Sequence, residues 1–183
     1  MGVIVTGMVD TDIDIDTDTD AAQPQPLFSP EDGIADLWVK AYQGEVLGEI
    51  LFGGIAAQLD DPDQAAKMRV LATLERRTKE AARPALERAG LSTDPDPETQ
   101  ATAAALLPGA LALTWDDLMA TIGPITARYI PLYQRIGELS PAERETADLL
   151  VAHEAALSDF ARAEVNGQGT TSLDSIKALA HMR

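Results

Sequence analysis

Residues 38 to 54, WVKAYQGEVLGEILFGG, form a run apolar enough to lie against a protein core, yet Glu45 and Glu49 interrupt it four residues apart. A carboxylate withdrawn from water must pair with a cation, keep its proton or bind a metal. Two more groups with the same potential stand later in the chain, Glu75 in LERRT and His153 in LLVAH. Three carboxylates and one imidazole support two kinds of chemistry. They can hold a cation such as iron or manganese, or they can move protons between an imidazole and a carboxyl of raised pKa. Glu45, Glu49, Glu75 and His153 are the candidate metal ligands. His153, Glu75 and Tyr129 are the candidate catalytic groups.

These side chains need helices to bring them together. Alanine and leucine are abundant, aromatic residues make up 4%, and β-branched runs are scarce beyond the first turns of chain, which predicts an all-α protein. Ser29-Pro30, Asp61-Pro62 and Ser140-Pro141 each set a capping side chain before a proline suited to the first helical turn. Ser140 with Glu143, and Thr114 with Asp117, add capping-box spacing. Gly90 and the VNGQGT stretch at 165 to 170 read as helix stops, and LPGALALT at 107 to 114 as a break after a short alanine-rich segment. The expected skeleton is four helices at 30–59, 62–89, 115–138 and 141–165, with a short helix near 172–182. Pro124 and Pro131 should bend the third of these and leave room for a pocket.

Counting in alternating fours and threes places Trp38, Tyr42, Glu45, Glu49 and Phe52 on one inward stripe of the first helix. Level can be judged from distance to a hairpin turn at about 1.5 Å per residue. Glu45 lies about 15 residues before the first turn and Glu75 about 15 after it, and Thr126 and His153 match in the second hairpin by the same count. Glu45, Glu75 and His153 are therefore expected at one height, with the two glutamates facing each other.

Composition narrows the function. The net charge is -16, six of the acids being Asp10, Asp12, Asp14, Asp16, Asp18 and Asp20, so neither nucleic acid nor an anionic membrane is an expected partner. Residues 1–28 read as a disordered acidic tail and 29–183 as one helical domain. The absence of cysteine excludes disulfides, thiolate nucleophiles and zinc-thiolate sites. With no signal-like N-terminus and no apolar run of membrane-spanning length, a cytoplasmic location is expected.

The glutamate in QGEVLGE, the glutamate in LERRT and the histidine in LVAH, distributed over three helices with two tight hairpins and one long crossover, resemble the ferritin-like (rubrerythrin or di-iron carboxylate) superfamily. The resemblance covers most of residues 30 to 165. It implies a four-helix bundle with one long crossover whose core binds iron or manganese and performs oxidoreductase or oxygenase chemistry on a small molecule. This chain departs from the family pattern. Thr78 stands where the second helix should carry histidine, Thr126 or Tyr129 where the third should carry glutamate, and Leu150 where the fourth should carry glutamate.

The incomplete ligand set keeps two alternatives beside the metal enzyme. One is a metal-free enzyme of the same fold that uses His153 and a buried glutamate as acid and base. The other is a non-catalytic small-molecule binder whose carboxylates pair with Arg76, Arg77 or Arg128. Each candidate also has a purely structural counterpart: an exposed seam for Glu45 and Glu49, a charged face for Glu75 within ERRTKE, a hydrogen-bonded core histidine for His153, and core aromatics for Tyr129 and Tyr133. A small molecule is the expected partner, and a homodimer is left open.

Overall fold

In the computed structural model residues 27–179 are described, and all regular structure among them is helical. Six α-helices follow in order: α1 (Ile34–Ala56), α2 (Pro62–Arg88), α3 (Pro97–Ala112), α4 (Trp115–Leu139), α5 (Arg144–Val165) and α6 (Asp174–Leu179). Among the described residues no helix is long and apolar enough to cross a membrane. Most of the acidic tail expected over 1–28 lies outside the described residues. Phe28, within that span, packs half-buried against the core.

The hairpins form where capping and glycine signals place them. The Asp61 carboxylate accepts from the backbone N–H groups of Asp63 and Gln64 at 2.9 and 3.0 Å, which starts α2 directly after α1. Gly90 and Gly167 adopt φ of 70° and 72°, letting the chain turn back at the ends of α2 and α5, where Leu91 and Gln168 donate to the carbonyls of Leu86 and Ala163. Thr114 caps α4 as its spacing predicts, accepting from the Asp117 N–H.

Three boundaries differ from expectation. At Ser29-Pro30 no helix begins: the Asp32 carboxylate turns back to the Ser29 N–H at 2.8 Å and also binds Lys40, and α1 starts only at Ile34. At Ser140-Pro141 the chain makes a short 3-10 turn, Pro141–Glu143, before α5, and the Glu143 side chain binds Arg88 instead of closing a capping box. The break expected within LPGALALT comes at its end, at Leu113 and Thr114, and not at Pro108 and Gly109. A 16-residue α3 runs through Pro108 and Gly109, started by Asp96, whose carboxylate accepts from the Glu98 N–H, with Pro97 in the first turn. Its approach is tied to α1 by Tyr42, which donates to the Thr93 carbonyl, and by Gln43, which bonds Asp94 and Asp96.

Helix α1 packs on α2 and α4 on α5, while α1 meets α4 and α2 meets α5, so these four helices enclose a common interior. Helix α3 lies along α1, and α6 docks on α5. The interior is apolar at both ends. One end gathers Trp38, Tyr42, Leu86, Tyr133 and Ile136; the other gathers Met68, Leu71, Met119, Leu157 and Phe160. Between them every one of the four helices contributes polar residues at the same height: Glu45, Glu75 with Thr78, Thr126, and His153 with Glu154, all buried.

A second polar knot fastens the far end. Lys67 of α2 pairs with Glu164 of α5 at 2.9 Å, and Trp115 of α4 donates its indole N–H to Glu164 at 3.0 Å. Burial would raise the Glu164 pKa, but Ser172, Lys67 and Trp115 outweigh it and hold the carboxyl below its ordinary value of 4.5. A carboxyl whose folded pKa is depressed contributes stability above the unfolded value and loses it as pH falls through the folded one. Glu164→Gln should therefore destabilise the protein by about 2 kcal/mol at neutral pH. The difference from wild type should shrink as pH drops below 4.5. Urea denaturation at pH 7 and pH 3.5 measures both, and a gap that is constant with pH would contradict the assignment.

Candidate functional site

The middle layer is built around His153, fully buried on α5. Its Nδ1 lies 3.5 Å from Glu45 Oε1 and its Nε2 lies 3.3 Å from Glu75 Oε1, so the ring stands between a carboxylate of α1 and one of α2. Neither contact has hydrogen-bond geometry, and both ring nitrogens are buried without a hydrogen-bond partner. Glu45 is better satisfied. The Tyr133 hydroxyl donates to Oε1 at 2.8 Å and the Thr78 hydroxyl donates to Oε2.

These surroundings set the charges. For Glu45, burial favours the neutral form, but the charge of His153 and the hydrogen bonds from Thr78 and Tyr133 prevail and lower its pKa. Burial dominates for Glu75, reinforced by Glu45 and opposed by His153, and raises its pKa to about 7. The imidazole of His153 is also penalised by burial, yet Glu45 and Glu75 more than compensate and push its pKa well above the ordinary histidine value. Burial and the neighbouring carboxylates push the Glu154 pKa well above the ordinary carboxyl range, with His153 acting against them. Burial, helped by Glu154, Glu75 and Glu45, moves Tyr129 to about 12, so its phenol remains a proton donor near neutrality.

Of the sequence candidates, the structure brings Glu45, Glu75 and His153 into contact at one level, with Tyr129 beside them on α4. Glu49 is not in the cluster. One turn beyond Glu45 it has rotated by about 40° around the helix, and it pairs with Lys79 at the edge of the α1–α2 contact. Arg76 and Arg77, candidate partners for buried carboxylates, lie on the exposed face of α2. Sequence reasoning missed Glu154 as a member. A strict stripe admits only one of two adjacent residues, but a helix with a broad buried face accepts both His153 and Glu154, and the HE pair inside LLVAHEAAL carries that signal.

It also missed two glycines. A Cβ on Gly48 would sit 2.5 Å from the Glu75 carboxyl carbon, and one on Gly44 would sit 2.5 Å from the Tyr129 ring. Their missing side chains, one turn apart on α1, are what allow Glu75 and Tyr129 to lean in over the helix. Beyond them opens a cavity of about 430 Å³. Leu47, Leu51 and Phe52 of α1, Ala110 of α3, and Leu118 and Ile122 of α4 wall it, while Glu75, Glu154, Thr126 and Tyr129 form its polar end.

Glu45, His153 and Glu154 each offer a ligand atom within 4.8 Å of the others. An imidazole with two or three carboxylates suits iron, manganese or zinc, whose bonds of about 2.0–2.2 Å need only small side-chain movements here. An orphaned nitrogen of His153 fits such an ion, because a nitrogen bound to metal needs no hydrogen bond. The chain matches no family model, and neither a curated protein nor a solved structure matches it.

Gly48→Ala tests how the cluster is assembled. A helix normally gains about 1 kcal/mol from this exchange, but here the new methyl group must displace the Glu75 carboxylate. The variant should be less stable than wild type by about 1–2 kcal/mol, measured by thermal or urea unfolding. A stabilised variant would show that the Glu75 carboxyl moves aside at little cost and is not held against Gly48.

Proposed function

We propose that the chain is a ferritin-like helical enzyme that holds one iron or manganese ion at Glu45, His153 and Glu154, with Glu75 beside them, and acts as an oxidoreductase or oxygenase on a small molecule. The observation that carries this reading is His153, fully buried with both nitrogens lacking a hydrogen bond, amid three buried carboxylates. Leaving a buried polar nitrogen unsatisfied costs about 1–3 kcal/mol, a cost that ligation removes for the nitrogen that binds the ion, leaving the other to a neighbouring carboxylate. The pairing of α1 with α2 and α4 with α5, and the contribution of all four helices to one polar layer, support the ferritin-like arrangement. Thr78, Thr126 and Leu150 at positions where that family carries ligands support one ion rather than two.

An iron or manganese ion held by Glu45, His153 and Glu154 would supply redox chemistry with oxygen beside the cavity. The protein's own groups have separate tasks. Tyr133 and Thr78 fix the Glu45 carboxylate, and the apolar walls keep water from the reacting end. Tyr129 keeps its proton and offers it as a hydrogen bond.

One observation favours a second reading, a metal-free acid/base enzyme. With no cation present, Glu75 has a pKa of about 7, where a carboxyl exchanges protons most effectively at neutral pH, and His153 is its immediate neighbour. His153→Ala separates the two readings. Wild type purified without chelator should carry stoichiometric iron or manganese by elemental analysis, and the variant should carry none while keeping its helical circular dichroism, at a stability cost of about 1–3 kcal/mol. Equal, sub-stoichiometric metal in both proteins would reject the metal centre. Loss of activity with His153 in that case would favour the acid/base enzyme.

A further inference from the structure

The cavity says more about its occupant than the cluster does. Its walls are aliphatic and aromatic, and among the described residues that line it there is no lysine, arginine or histidine. Its mouth is rimmed by Leu106 and Leu113 at the α3 end and by Ile125 of α4, three large apolar side chains that stand 41–52% exposed. At the inner end the polar atoms are mostly acceptors. Glu75 and Glu154 present carboxyl oxygens there, and the Thr126 hydroxyl already spends its proton on the Gly123 carbonyl at 2.9 Å.

We infer that the cavity binds an elongated apolar molecule ending in one small, non-anionic head that donates hydrogen bonds, an amine or an alcohol, with the head against Glu75 and Glu154 and the body along Leu51, Ile122 and Ala110. This rests on the reading of the buried cluster as the working end of the cavity, and it adds the substrate class. A carboxylate head would bring another negative charge beside two buried carboxyls, where the described lining holds no cationic side chain and the nearest one, His153, is already engaged by Glu45 and Glu75, a costly arrangement. An ion ligated by Glu45 and Glu154 would be offset by those same groups and would leave the preference in place. At roughly 30 Å³ per water-sized group, the volume accommodates a ten-carbon chain with its head.

The test measures binding of n-decylamine, n-decanol and n-decanoate, each below its micellar concentration, to the full chain by calorimetry. Wild type should bind the amine and the alcohol roughly tenfold or more tightly than decanoate. Ala110→Phe should weaken both favoured ligands by a similar factor, because it projects a ring from a half-buried wall position. Gly109→Phe, where an added Cβ meets nothing within 4 Å, provides a second block that the fold tolerates. Decanoate binding as tightly as the amine and alcohol would overturn the inference. So would affinities unchanged in both blocking variants, which would place the ligands on the outer surface, or no binding at all. Metal content of the same samples is read separately. Head selectivity in metal-free protein would keep this inference and reject the metal centre, whereas bound metal without selectivity would do the reverse.

Discussion

The structure depends on an ion-paired imidazole in the middle of an apolar interior. Placing His153 between Glu45 and Glu75 strips three ionisable groups of water, and a buried pair of this kind seldom repays its desolvation through attraction alone. The neighbouring elements supply the difference. Thr78 and Tyr133 solvate Glu45 from α2 and α4, and apolar layers above and below exclude water from the rest. A helix that slid by one turn would leave a carboxylate without its partner. The polar layer thus fixes the register of four helices relative to each other, as a buried polar residue fixes register in a coiled coil.

Much of that layer was legible from distances along the chain. Glu45 and Glu75 are nearly equidistant from the Asp61 turn, and this symmetry alone brings them level once both helices are straight and tightly connected. His153 followed from the second hairpin in the same way. Glu49 failed because a four-residue step was read as a return to the same face, whereas the helix drifts by about 40° at each such step, enough to bring the side chain to Lys79.

What was not legible depended on pairs of residues distant in sequence. Gly44 and Gly48 look like helix-weakening positions until Tyr129 and Glu75 are seen leaning over them. Helix α3 runs further into LPGALALT than its sequence suggests, because Pro108 and Gly109 disfavour helix locally while packing along α1 and the bonds from Tyr42 and Gln43 override that preference. Asp96-Pro97 is the same capping pair that starts α2 at Asp61-Pro62, and it was the available signal for α3.

Helix α3 forms one wall of the cavity yet contributes no side chain to the cluster around His153. The part of the chain that bounds the cavity on that side is therefore separate from the part that holds the buried ionisable groups. Substitutions at Leu106, Gly109 or Ala110 reshape the space without disturbing the register or protonation of Glu45, Glu75 and His153. If the cavity binds a ligand as proposed, such a division would make the protein readily evolvable: descendants could accept longer, shorter or bulkier compounds by drift in a single helix while inheriting the same buried centre.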